Sequence, residues 1–153
     1  MAQEEYVKEL IVDTYAIIAD LTGNISPVAS KSLDLVRIGE AIGIIHYLII
    51  YELTYFWEKT GLAFKSSDEI KEFIETYFKV AELDTDLALE AVKVKVEGDR
   101  LLREANEPKL RKRQLSIADA TTLALALRLN VPMITGDEDL KYVANRMRIR
   151  VIW

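Results

Sequence analysis

A three-layer α/β/α sandwich with a mainly parallel central sheet is the fold this sequence predicts, and three observations carry it. Short apolar runs alternate with helical patterns along most of the chain, and crossover helices between strands imply parallel pairing. The runs are apolar at successive positions, as in strands buried on both faces. Helix-start signals recur between the runs, at Ser26-Pro27, Ser66-Ser67-Asp68-Glu69, Asp84 and Ser116.

Taken in order, residues 10–12 form a first strand that stops abruptly at Asp13-Thr14. Ser26 is an N-cap with Pro27 in the first helical position, opening a helix to about residue 41. Residues 42–46 read as a second strand. A helix follows from residue 47 or 48 to Gly61, a natural terminator. The box Ser66-x-x-Glu69 starts a helix to about residue 78, and residues 79–83 read as a third strand. Asp84 caps a long helix that ends before Asn106-Glu107-Pro108. A basic connector over 109–113 leads to Ser116, which opens a strongly apolar helix to about Asn130. Residues 131–135 form a strand, 137–146 a short helix and 148–152 a last strand.

Half of the 153 residues are hydrophobic, enough to bury a core without covalent staples. Without cysteine, disulfides, zinc–thiolate sites and thiol catalysis are excluded, and a reducing compartment fits. The opening ten residues are acidic where a signal peptide would be basic and then apolar. The most apolar run, 42–51, contains His46 and is too short to span a bilayer. A soluble, cytoplasmic protein without a membrane partner is therefore expected. A net charge of −5 argues against a broad basic grip on nucleic acid. It does not exclude one, because a metal-dependent nuclease gathers carboxylates and turns the bound cations toward phosphate.

Open parallel sheets build sites beyond the carboxyl ends of their strands, and four acids fall near that edge. Asp13 follows the first strand, Glu52 lies early in the helix after the second, and Asp137 follows 131–135 by one glycine. Asp119 lies near the start of the apolar helix. Each also has a structural explanation: Asp13 and Asp137 as N-caps, Asp119 as partner of Ser116 in a box, Glu52 as a solvated helix residue. The surroundings weigh against idleness. The helix after Asp119 is apolar almost all round, so a carboxylate at its start is costly without a cation or strong donors. Asp119 shares a face with Ser116 and Thr122, and Glu52 is flanked by Leu48, Ile49, Leu53 and Phe56.

These positions match a pattern. Ile11-Val12-Asp13-Thr14, Tyr51-Glu52-Leu53, Leu115-Ser116-Ile117-Ala118-Asp119-Ala120 and Ile134-Thr135-Gly136-Asp137-Glu138-Asp139-Leu140 occur in that order. The sequence resembles the PIN-domain nucleases, and among them the VapC-like toxin ribonucleases of toxin–antitoxin pairs. The likeness covers essentially the whole chain, so residues 1–153 are expected to form a single PIN-like domain. It implies that Asp13, Glu52, Asp119 and Asp137 surround the metal, that Thr14 and Thr135 support it, and that Asp139 helps in some members. Ser116 belongs with the supporting residues. Tyr15 departs from the small polar residue many relatives carry there. The resemblance further implies Mg²⁺ or Mn²⁺, an RNA substrate, a homodimer and an antitoxin partner. Asp13 and Asp119 are expected to bind the main ion, with Glu52 and Asp137 completing the site or orienting the attacking water; one metal or two fits equally.

Other residues carry smaller expectations. Arg111, Lys112 and Arg113, with Arg100, Arg103 and Lys109 nearby, could track an RNA backbone or simply solvate a connector. His46, the one histidine, reads as a packed residue, and Asp84 and Asp86 as helix-start acids. Tyr47, Tyr51 and Tyr55 recur every four residues; core packing is the default, a dimer or antitoxin surface the alternative. Two rival functions stay open. A phosphoacceptor receiver domain shares the α/β layering, although Asp13 lacks the acidic neighbour such a site uses. A catalytically idle PIN-like RNA- or protein-binding module is the other.

Overall fold

The computed structural model describes residues 7–153; the reading of the acidic first residues falls largely on 1–6 and lies outside the described residues. The chain forms β1 (Glu9–Val12), α1 (Thr14–Leu21), α2 (Pro27–Arg37), β2 (Ile42–His46) and α3 (Tyr47–Thr60). Then come α4 (Ser67–Tyr77), β3 (Phe78–Ala81), α5 (Thr85–Arg103) and the single turn α6 (Pro108–Arg111). α7 (Ile117–Leu129), β4 (Met133–Ile134), α8 (Glu138–Arg146) and β5 (Val151–Ile152) complete it.

The five strands pair in the order β3-β2-β1-β4-β5, and every pairing is parallel. Side chains alternate across the sheet and so build two cores. Leu10 and Val12 of β1 face a core shared with α1 to α4, while Ile11 faces one formed by α5, α7 and α8. The neighbours obey the same rule: Ile44 and Met133 lie with Ile11, and Ile45 and Ile134 lie with Leu10. Each such fully buried aliphatic chain contributes about 1.5–3 kcal/mol. The layered α/β/α expectation is met.

Local differences have local causes. Helix α1 was not anticipated; Asp13 caps it, accepting from the Tyr15 N–H, and it runs only eight residues before Gly23 takes a positive φ. Helix α2 ends at Arg37 and not near residue 41, because Gly39 turns the chain at φ 78°. β3 lies one residue earlier than expected, and β4 and β5 shrink to two residues each. α7 is buried almost all round and packs along α5. Among the described residues no helix is long and apolar enough to cross a membrane.

Candidate active site

The strand order reverses between β1 and β4, and the crevice beyond the carboxyl ends at such a reversal is where an open α/β sheet binds ligands. Asp13 leaves β1 at this point, and Thr135-Gly136-Asp137 leave β4. The Asp13 N–H donates to the Ile134 carbonyl at 3.0 Å, holding the two exits side by side. Glu52 enters from α3, which starts directly after β2, and Asp119 enters from the first turn of α7.

Two threonines orient two of the acids. Thr135 Oγ1 donates to Asp13 Oδ2 at 3.0 Å, and Thr14 Oγ1 donates to Glu52 Oε1 at 2.7 Å. The Tyr15 N–H adds a second donor to Asp13 Oδ2 at 3.3 Å. Asp137 caps α8 by accepting from the Leu140 N–H at 2.9 Å, and its own N–H donates to Thr135 Oγ1 at 3.2 Å. Ser116 caps α7 by accepting from the Asp119 N–H at 3.0 Å. The cap readings of Asp13, Asp137 and Ser116 are therefore correct, and they are compatible with a site. Capping occupies one oxygen of Asp137 and aims its carboxylate group into place.

Charge makes the cluster unusual. Burial pushes Asp13 up to about 7, with Glu52 and Asp137 adding repulsion against the two hydrogen bonds that favour its ionised form. Burial likewise raises Asp119 to about 7, and Asp13, Asp137 and Glu52 all repel it. Asp119 thus feels all three other acids. Among the described residues, no cationic side chain pairs with any of the four. Nor, among those residues, do three such groups already converge tightly enough to grip an ion. The donor set is nonetheless suited to one: all-oxygen, carboxylate-rich and lacking a counter-charge, as a hard divalent cation requires.

The comparisons bear on the fold and the family. The PIN domain family matches residues 10–146. The chain belongs to the PIN-domain family. That is a family of nucleases, and its membership removes the receiver-domain rival; the strand order also differs from the 2-1-3-4-5 order of flavodoxin-like receivers. Among solved structures, this PIN domain is similar to VapBC2 from Rickettsia felis bound to a DNA fragment from their promoter, with TM-score 0.65 and 11% identity over 94% of this chain and 96% of the other. VapC20 from Mycobacterium tuberculosis, a Sarcin-Ricin loop cleaving toxin, gives TM-score 0.60 and 17% identity over 86% and 92%. VapBC-1 from nontypeable Haemophilus influenzae gives TM-score 0.60 and 18% identity over 94% and 96%. No curated protein matches in sequence.

Around the acids, the PIN domain sorts the remaining candidates. Asp139 lies beside the cluster, raised by burial and by Asp137, and its carboxylate pairs with Arg113 Nε at 3.2 Å. Arg111 donates to the Ala105 and Asn106 carbonyls at 3.1 and 3.0 Å, closing the turn after α5. Lys112 stays exposed. His46 is fully buried: Nδ1 accepts from the Leu48 N–H at 3.2 Å and Nε2 meets Thr122 Oγ1 at 2.8 Å. Burial lowers it to about 4, so it packs as the neutral ring. Asp84 caps α5 through the Leu87 N–H and pairs with Arg128, away from the cluster. The tyrosine stripe is exposed, which overturns core packing for those rings.

Two supports escaped the sequence reading. Asp99 Oδ1 accepts from the Leu115 N–H at 2.8 Å, and Lys95 Nζ donates to the Leu115 carbonyl at 2.6 Å. Together they moor the connector that delivers Ser116 and Asp119. Gly136 is packed so closely under Trp153 and Tyr15 that a Cβ there would strike both rings. Those rings meet edge to face at 5.5 Å, forming a wall beside Asp137. The sequence signals for this wall were Tyr15, which departs from the residue many relatives carry, and the short neighbour of an acid in Thr-Gly-Asp.

Proposed function

We propose that this PIN domain is a Mg²⁺- or Mn²⁺-dependent endoribonuclease, acting as one domain over residues 1–153 and as the toxin of a cytoplasmic toxin–antitoxin pair. The observation that carries the reading is the convergence of Asp13, Glu52, Asp119 and Asp137 at the β1/β4 reversal without a cationic partner among the described residues. Likeness to VapBC complexes and to a Sarcin-Ricin loop cleaving toxin supports an antitoxin partner and an RNA target, and a homodimer is part of the same reading.

Asp13 and Asp119 would hold the principal ion, and Glu52 and Asp137 would complete the site or orient the attacking water. A bound divalent ion supplies an activated water and neutralises charge on the phosphate. Thr135 and the Tyr15 N–H fix one oxygen of Asp13, leaving the other without a protein partner among the described residues. Thr14 does the same for Glu52. The Tyr15–Trp153 wall bounds the approach beside Asp137.

The test is cleavage of a mixed single-stranded RNA pool with Mg²⁺ or Mn²⁺, by wild type and Asp119→Asn, alongside calorimetric titration of each metal. Metal-dependent cleavage and metal binding, both reduced at least a hundredfold by the substitution, are expected. Cleavage that survives full chelation, or survives Asp13→Asn, overturns the mechanism. Metal binding without cleavage of any RNA in the pool would turn the reading toward an idle binding module.

A further inference from the structure

Helix α3 carries Glu52 and, on the adjoining strip of its surface, Tyr47, Tyr51 and Tyr55. These rings are 64%, 61% and 53% exposed, a costly display for large amphipathic side chains that serve no contact. Tyr51 and Tyr55 lie only 7° from parallel, with ring centres 6.5 Å apart. Successive stacked nucleotides are spaced about 3.4 Å, so a planar base held between two faces needs them about 6.8 Å apart. The two ring centres already stand close to that distance.

The surroundings favour a base over a phosphate. Tyr47, Ile50, Thr54 and Glu58 complete an open cleft of about 360 Å³ around the pair. Its walls are ring faces and aliphatic surface, and its charged member is the Glu58 carboxylate. That group repels phosphate oxygens and accepts from base N–H groups. On the far side, Lys59 Nζ lies 5.1 Å from the Tyr55 ring centre, steadying the ring and offering one positive charge to a backbone. Tyr55 follows Glu52 by three residues, so the two are surface neighbours about 4.5 Å apart along the helix axis. One nucleotide spans that reach.

We propose that Tyr51 and Tyr55 clamp one unpaired base of a single-stranded nucleic acid whose adjacent phosphate lies at the acid cluster. The proposal rests on the nuclease reading and adds the site that tells single strand from duplex, because a paired base has no free face to enter the clamp. Stacking accepts any base, and Glu58 favours those with an exocyclic amino group over uracil.

The test uses the whole chain in an Asp119→Asn background with Mg²⁺ raised to saturate the weakened site, and a fluorescent single-stranded RNA hexamer read by anisotropy. Each of Tyr51→Leu and Tyr55→Leu should weaken binding by roughly five- to one-hundredfold, as the loss of a base–aromatic stack does. Tyr55→Phe, which keeps the ring, should bind as its parent. With a hexamer of abasic sugars the leucine variants and parent should bind alike. Equal affinity of leucine variants and parent for the ordinary hexamer overturns the clamp. So does a loss accompanied by conversion of a dimer to a monomer and equal for the abasic strand, which would assign the stripe to a protein interface. Cleavage by the otherwise wild-type chain, assayed in parallel, separates the two readings: cleavage with an inert clamp removes only this proposal, and absence of both cleavage and binding removes both.

Discussion

Asp119 holds the most informative charge in the molecule. Its carboxyl is raised to about 7 by burial first and by three neighbouring acids second. An acid raised on folding binds more protons in the native than in the unfolded state between its unfolded value, near 4, and its folded value. Native stability therefore falls as pH climbs through that window. Replacing Asp119 by Asn removes this dependence. In chelator, Asp119→Asn should match wild type below pH 4, gain on it steadily to pH 7, and hold a lead of about 4 kcal/mol above that. In a chain of this length the lead would read as about 8–16 °C in Tm. Saturating Mg²⁺ should reverse the order, because only the wild type gains full binding free energy. A flat difference across pH 4–8 would mean that Asp119 is ordinarily solvated and ionised.

At the scale of elements, α5 acts as the mooring for α7. Asp99 and Lys95 hold both polar groups of the Leu115 backbone, and Gly98 lets the Leu115 side chain lie directly against the α5 backbone. Asp99→Ala strands the Leu115 N–H and should cost about 1–3 kcal/mol in denaturant unfolding. It should also lower metal affinity severalfold, since Ser116 and Asp119 follow from that anchor. Unchanged metal affinity would show that the core face of α7 suffices to place them.

This mooring also marks where the sequence stopped being legible. The four acids could be found because each sits directly after a strand or within the first turns of a helix, and local patterns report such places. Thr14 and Thr135, which the family resemblance alone supplied, and Asp99, which was missed, do their work on partners 38, 122 and 16 residues away, which no local pattern records. Helix α1 was hidden for a local reason: its Thr-Tyr start is poor helix material, so the cap reading of Asp13 did not extend into a helix. The overrun of α2 came from apolar residues beyond Arg37 that continue the helical spacing through a turn set by Gly39.

On the scale of the whole molecule, charge and surface decide how a nucleic acid would be met. Net charge is −5, and the basic connector is largely committed: Arg111 to backbone carbonyls, Lys109 to Glu138, Arg113 to Asp139. Few cations of the connector remain for phosphates. RNA affinity should then fall only gently with salt, with a log–log slope of about −2 if Lys59, Lys112 and an Arg113 released from Asp139 are the contacts. Lys112→Ala with Arg113→Ala should flatten the slope by about one further unit, whereas Arg111→Ala should lower stability and leave the slope alone. A slope steeper than about −4 would reveal a basic surface that this arrangement does not provide.

The pairing of β1 with β4 has a consequence in time. Asp13 is synthesised 122 residues ahead of the threonine that orients it. At about 5–20 residues per second, the early acid waits several seconds for its partners to be made. Until β4 docks, Asp13 has no Thr135, no Asp137 and no adjacent strand end, so a half-made chain has no assembled centre with which to cut. Synthesis itself thus delays assembly of the acid cluster until the last third of the fold is in place.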